Sequence, residues 1–182
     1  MATVLTGNGI VVRPHEADDI APMFAAIGES TATVGRWMSW CNPGYSLHDA
    51  TAWFERSAKA WATDGDREFG IFDAASREVL GCVGINQINR LNNFANMGYW
   101  VRSSREGQGV ASTAARLASG YAFAELGLAR IEIVVLPDNT ASRRVAEKIG
   151  AHFECLARNR LQFKGTTRDA AMYSLVRAEP AS

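Results

Sequence analysis

Apolar residues change their spacing several times along the chain, and each change marks an element. Gly9-Ile10-Val11-Val12-Arg13-Pro14 is an extended run ended by a proline that cannot donate to a ladder. Asp18 or Asp19 then opens a helix whose Ile20, Met23, Phe24 and Ile27 form one stripe. An aperiodic loop with Trp37, Met38, Trp40, Pro43 and Gly44 follows. Ser46-Leu47-His48-Asp49 has the form of a capping box, and Ala50, Phe54, Ala58 and Trp61 continue behind it at helical spacing. Short β-rich runs over Glu68 to Asp73, Val79 to Asn89 and Asn93 to Val101 read as an antiparallel meander, broken by Ala74-Ala75-Ser76-Arg77 and Arg90-Leu91-Asn92. Val110, Ala114, Leu117, Ala118, Tyr121, Ala122 and Leu126 predict a long helix. Arg130 to Val135 predicts a strand parallel to the one before that helix. Asn139 caps a further helix through Val145 to Ile149, with Gly150 as its stop, and strands near His152 to Asn159 and Ala170 to Val176 finish the chain.

The length of 182 residues predicts one domain over 1–182 with a sizeable core. Lysine plus arginine equals aspartate plus glutamate at 19 each, so no global basic field argues for nucleic acid. No apolar run is long enough to span a bilayer, and Met1-Ala2-Thr3-Val4-Leu5 is neither basic nor long enough for a signal peptide, so the expected address is the cytoplasm. Cysteines 41, 82 and 155 follow no metal or redox pattern and are expected as buried free thiols. Histidines 15, 48 and 152 are equally scattered, and no metal is expected.

The chemistry concentrates in Glu106-Gly107-Gln108-Gly109-Val110-Ala111-Ser112-Thr113, which joins a strand to the long helix. Such a turn aims backbone N–H groups and the positive end of a helix at an anion, and two glycines let a pyrophosphate approach. A Walker-type loop is excluded because its lysine and hydroxyl pair is missing. A dinucleotide fingerprint fits poorly. It wants an acid about 20 residues on, whereas Asp138 comes later, and a third small residue where Ser112 stands, at the opening of its own βαβ unit.

The segment resembles the pyrophosphate loop of the GNAT acyl-CoA N-acyltransferases, whose pattern is Gln or Arg, two residues, Gly, one residue, then Gly or Ala. Gly109 and Ala111 match, and Glu106 stands in place of Gln or Arg. Glu106 is therefore expected to face solvent, with Arg102 or Arg105 supplying compensating charge. Within that superfamily the chain is similar to RimJ/RimL-type acetyltransferases through Val11-Val12-Arg13-Pro14, Asn96-Met97-Gly98-Tyr99-Trp100-Val101, Asn139-Thr140-Ala141-Ser142 and Arg168-Asp169-Ala170-Ala171-Met172-Tyr173-Ser174-Leu175. The resemblance implies an α/β fold with a mixed central sheet of about six to seven strands flanked by about four helices. It implies acetyl-CoA as cofactor, coenzyme A as product, and direct transfer of acetyl to a primary amine on a protein N-terminus or small molecule.

Carried onto this chain, the family's cofactor contacts fall on Trp100, Val101 and Arg102 through the backbone, on Gly107, Gln108, Gly109, Val110, Ala111 and Ser112, and on Asn139 and Ser142. Ser142 takes the acid's place and Asn139 a pantetheine contact, although both also read as an ordinary cap and first-turn residue. The strand position where relatives often carry Glu holds Asn96, and an amide cannot accept the proton. Glu68, His48, Asp169 and a water chain remain alternatives for the base. The acceptor is expected between the Trp37–Trp40 loop, the second helix and the final hairpin. A rim of Arg36, Arg158, Arg160, Lys164 and Arg168 would favour an acidic acceptor or a succinyl group. Two alternatives stay open, a coenzyme A sensing module without turnover and a succinyl-CoA-using enzyme. A homodimer is an expectation from the family alone.

Overall fold

The computed structural model describes residues 3–63 and 65–177, so the first two positions of Met1–Leu5 lie outside the described residues. The elements are β1 (Leu5–Gly7), β2 (Ile10–Pro14), α1 (Ile20–Glu29), α2 (Leu47–Ala62), β3 (Arg67–Asp73), β4 (Val79–Asn89), β5 (Phe94–Val101), α3 (Val110–Ala124), β6 (Arg130–Val135), α4 (Thr140–Lys148), β7 (His152–Phe163) and β8 (Thr166–Val176). The strands form one sheet in the order β1-β2-β3-β4-β5-β6-β8-β7. Every neighbouring pair is antiparallel except β5 with β6, which the α3 crossover makes parallel.

The α/β expectation and the meander hold, but the sheet has eight strands rather than six to seven. The added strand is β1, turned onto β2 by Asn8 and Gly9, whose φ values of 45° and 77° suit a two-residue hairpin. The β7–β8 hairpin also runs further than expected, to a turn at Lys164 and Gly165 with φ of 47° and 77°. Its outer half is exposed and polar, so it lacks the apolar alternation that announces a half-buried strand. Cys155 lies on the exposed edge strand β7, which corrects the expectation of a buried thiol, while Cys41 and Cys82 are buried.

The helices divide between the faces of the sheet. On one face Ala114, Ala115, Ala118 and Ala122 of α3 are fully buried against Val12, Phe69, Ile71, Val83, Ile85, Met97 and Ile131. A row of alanines lets the helix axis come close to the strands, so the glycine turn at its start is carried on a rigid support. On the other face Met23, Ala26 and Ile27 of α1 and Phe54 of α2 pack on Phe72 and Val79. The Ser46 and Asp49 capping box starts α2, each side chain bonding the other's backbone. Trp61, in the last turn of α2, stacks edge-on against Phe69 at 5.1 Å, and Phe69 meets Tyr121 of α3 at 5.4 Å. Trp61 and Tyr121 are themselves 6.3 Å apart, so the trio joins the end of α2 to α3 on the α3 face of the sheet.

Phe69→Ala would open a cavity where the end of α2 meets α3. A loss of about 3–5 kcal/mol is expected from urea unfolding, against near-neutral behaviour for a surface change such as Arg158→Ala.

Candidate active site

Strands β5 and β6 pair only at Phe94↔Arg130, Ala95↔Ile131 and Asn96↔Glu132. Beyond that point β5 stays with β4 as far as Val101↔Gly81, while β6 stays with β8 as far as Val135↔Ala171. The strands therefore part, and the β6-facing edge of β5 from Met97 onward has no strand partner. Backbone polar groups in such a wedge need another partner. The glycine turn stands beside its open end. Gly109 is the N-cap of α3 with φ of 80°, and Gly107 has φ of 73°. Both lie in the left-handed region that glycine tolerates without a Cβ clash. The first-turn N–H groups of α3 have no partner within the helix. Nothing lies within 4 Å of where a Cβ on Gly107 would stand, so an anion can reach the backbone there.

A cleft of about 670 Å³ joins turn and wedge. It is lined by Trp100, Val101, Glu106, Gly107, Gly109, Val110, Ala111, Ser112, Asn139 and Ser142, with Arg36, Arg105, Arg144 and Lys148 as cations. Two expected contacts are absent from this lining. Gln108 is exposed and its amide donates to the Ser104 carbonyl at 3.2 Å. The Arg102 guanidinium pairs with Glu29 and Glu78, its N–H donates to Leu80 O, and its carbonyl accepts from Arg105 N. Arg102 thus clamps α1 to the sheet and holds the Glu29 carboxyl down at about 2. Arg105, also paired with Glu78, remains at the cleft, and Glu106 is exposed at its rim. Ser112 is buried, with its hydroxyl donating to Gly109 O at 2.9 Å.

Asn139 caps α4 by accepting from the Ser142 N–H at 3.1 Å. The Ser142 hydroxyl donates to Tyr99 OH at 3.3 Å, and Tyr99 OH donates to the Ser142 carbonyl at 3.0 Å. Burial pushes the Tyr99 phenol up to about 12, so it keeps its proton. Tyr99 was legible only as a strand aromatic, because its meeting with Ser142 spans 43 residues of sequence.

A second cavity of about 620 Å³ opens on the α1–α2 side and shares Met38, Tyr99 and Trp100 with the cleft. Its walls are Met23, Ile27, Trp40, Tyr45 and Trp53, with Asp49 and Arg56 on one face of α2. Glu68, Cys82 and Asn86 complete the lining from the sheet. Of the candidate bases, only Glu68 faces this cavity. His48 is exposed on α2, and Asp169 accepts from Asn159 N in the hairpin. The hairpin cations Arg158, Arg160, Lys164 and Arg168 line neither cavity, so the expected rim reduces to Arg36, which faces the cleft.

The Glu68 carboxyl lies over Gly84, its cross-strand partner, where an added Cβ would stand 2.6 Å from the carboxyl carbon. Asn86 donates to Glu68 Oε1 at 3.3 Å, Cys82 Sγ donates to Oε2 at 3.6 Å, and Asn96 donates to Asn86 Oδ1 at 2.9 Å. Asn96 is thus coupled to a carboxyl two strands away. Burial raises the Glu68 pKa, and the two donors oppose that rise. Behind Cys82 stands His15, with Nε2 3.9 Å from Sγ and the ring against Trp53 and Phe54 at 4.7 and 4.8 Å. Its Nδ1 is buried without a partner, and burial lowers the ring's pKa to about 4. Among the described residues no group of three or more His, Cys, Asp or Glu could hold a metal ion, and no helix is long and apolar enough to cross a membrane.

Residues 10–152 match the family model described as "Acetyltransferase (GNAT) domain". The chain is 31% identical over 175 residues to "Probable N-acetyltransferase YjcK" of Bacillus subtilis (strain 168), covering 95% of this chain and 97% of that relative. It is 26% identical over 156 residues to the ribosomal-protein-serine acetyltransferase of Escherichia coli (strain K12), covering 85% of this chain and 86% of the relative. A solved RimL ribosomal L7/L12 alpha-N-protein acetyltransferase in complex with coenzyme A superposes with a TM-score of 0.87 over 96% of this chain and 98% of that one. Its identity of 19% makes this a likeness of fold.

His15 gives the fold a pH dependence of definite sign. Its folded pKa of about 4 lies below the ordinary 6.5, so between those values the unfolded chain binds more protons. Stability therefore falls as pH drops through that window, by on the order of 2–3 kcal/mol after allowing for solvent screening. Urea unfolding of wild type and His15→Gln at pH about 7 and about 4.5 checks this, with a shallower loss expected in the variant.

Proposed function

The chain belongs to the GNAT acetyltransferase family, and on that premise we propose that it transfers acetyl from acetyl-CoA to a primary amine by direct attack on the thioester. The supporting observation is the meeting of two cavities at Tyr99 and Trp100, one with backbone donors and cations, the other with a buried carboxyl. Acetyl-CoA, when bound, supplies an activated thioester carbonyl. The α3 first-turn amides and the Gly107–Gly109 turn would hold its diphosphate, with Arg36, Arg105, Arg144 and Lys148 offsetting the charge that Glu106 opposes. The free edge of β5 at Trp100 and Val101 would take the pantetheine amides as an added half-strand does, and Asn139 offers a further polar contact.

An amine reaching the junction must lose a proton before it can attack, and Glu68 is the acceptor for it, directly or through water. The departing sulfur needs a proton, and Ser142 with Tyr99 behind it provides a hydroxyl pair on the cleft side. Met38, Tyr99 and Trp100, the residues the two cavities share, are uncharged, which favours acetyl over a succinyl chain at that point. The aromatic and aliphatic walls favour an amine carried on an apolar body. Both a protein N-terminus, in keeping with a relative named ribosomal-protein-serine acetyltransferase, and a small molecule meet that description. A sensing module without turnover is less well supported, because Glu68 restores the carboxyl that Asn96 lacks.

Acceptor-dependent release of free thiol from acetyl-CoA, measured over a panel of peptides and small amines, tests the reading. Thiol release that no acceptor increases, alongside tight coenzyme A binding, would favour the sensor. Glu68→Gln is expected to lower kcat by about 10²–10⁴-fold with calorimetric acetyl-CoA binding unchanged. Ser142→Ala should reduce kcat while sparing cofactor affinity, and unchanged turnover would remove the acid role. Gly84→Ala, which pushes the carboxyl aside without altering its chemistry, should give a smaller fall in kcat than Glu68→Gln.

A further inference from the structure

Cys82 and His15 have no task in the transfer as written for Glu68, Ser142 and Tyr99, yet they lie directly behind the carboxyl. The register places Glu68 opposite Gly84 and Gly70 opposite Cys82. Gly84 makes room for the Glu68 carboxyl, whereas a Cβ on Gly70 would meet the Phe72 ring at 2.5 Å and His15 Nδ1 at 3.0 Å. Cys82, Gly84 and Asn86 alternate onto one face of β4, so the carboxyl has a thiol on one side and an amide on the other.

A thiol has one proton. When it points to Glu68 Oε2, the sulfur lone pairs are left for His15, and Nε2 can bond them only by donating. The chain His15 to Cys82 to Glu68 then meets the chain Asn96 to Asn86 to Glu68, and all donors converge on an ionised carboxylate. Once Glu68 holds the amine's proton, its O–H becomes a donor and the sulfur can accept from it, so the thiol proton turns away from the carboxyl while Nε2 keeps its own.

We propose that Cys82 is a positioning residue whose thiol sets the pH at which Glu68 becomes able to accept the amine's proton, and that His15 holds that thiol in place from behind. The inference rests on Glu68 being the base. Other ionisable groups share this neighbourhood: Asp66 ahead of β3 acts on Glu68, Tyr45, Asp49 and Arg56 line the same cavity, and Arg13 and Asp19 act on His15. Cys82 and Asn86 are the donors to the carboxylate among the described residues, so changing the donor strength of Cys82 alone isolates one interaction.

The test is the pH profile of kcat at saturating acetyl-CoA, with one amine that wild type turns over. Cys82→Ser puts a stronger donor on the carboxylate, and the acidic limb is expected to move down by about half a pH unit or more. Cys82→Ala removes the donor and should move the limb up. His15→Phe should follow the alanine variant, whereas His15→Gln, which keeps an N–H near the sulfur, should stay near wild type. Acetyl-CoA binding by calorimetry verifies that each variant is folded, and Cys82→Ser, which alters the volume least, decides the matter if the alanine variant is unstable. Coincident limbs in wild type and Cys82→Ser would overturn the thiol's role. Glu68→Gln separates the two readings: if it retains the wild-type limb, the base assignment itself fails, and if it loses the limb while the Cys82 variants superimpose on wild type, only the present inference fails.

Discussion

A strand that leaves its neighbour partway along must find other partners for its backbone, and β5 does this after Asn96↔Glu132. The sheet tolerates the separation because each strand keeps its other neighbour, β4 for β5 and β8 for β6. The gap is also propped from one side. Four buried alanines seat α3 closely on the strands, and the glycine turn at its N-terminus opens beside the wedge. Unpaired strand edge, helix N-terminus and cation-lined cleft are therefore consequences of one crossover rather than three separate devices.

The polar groups at the two cavities follow from the two faces of the same strands. On β5, Tyr99 turns toward α4 and meets Ser142, while Asn96 and Trp100 turn toward the α1–α2 side. An isolated carboxylate in the second cavity would be costly, since burial disfavours its charged form. Glu68 meets that cost with two donors and with the space left by Gly84, and burial still leaves its pKa raised. Asn86 and Asn96 link the Glu68 carboxyl on β3 to β5 across the intervening strand.

Electrostatics outside the site serve the frame. Arg102 joins Glu29 of α1 to Glu78 ahead of β4, and Arg130 pairs with Glu132 and with Glu154 of β7. The first pairing explains why an arginine adjoining the glycine turn is not at the cleft. Its charge is taken up in holding the helix layer that forms the wall of the second cavity.

Most of the fold was legible in the chain. Hydrophobic spacing located α1 to α4 and the meander, the Ser46–Asp49 box and Asn139 marked helix starts, and the glycine turn pointed to an anion, because these are local rules of backbone geometry and capping. The hairpin end escaped because an exposed strand has no burial pattern to betray it. What only the tertiary structure decided was which distant polar residues share a cavity. Glu68 was one candidate among several until the β3–β4 register laid it over Gly84 between Cys82 and Asn86, and Arg102 shared with Arg105 the expectation of offsetting Glu106 until its guanidinium was found paired with Glu29 and Glu78. Local sequence dictates an element through interactions a few residues apart, whereas the partners of a buried charge are set by strand register and helix packing across the whole chain.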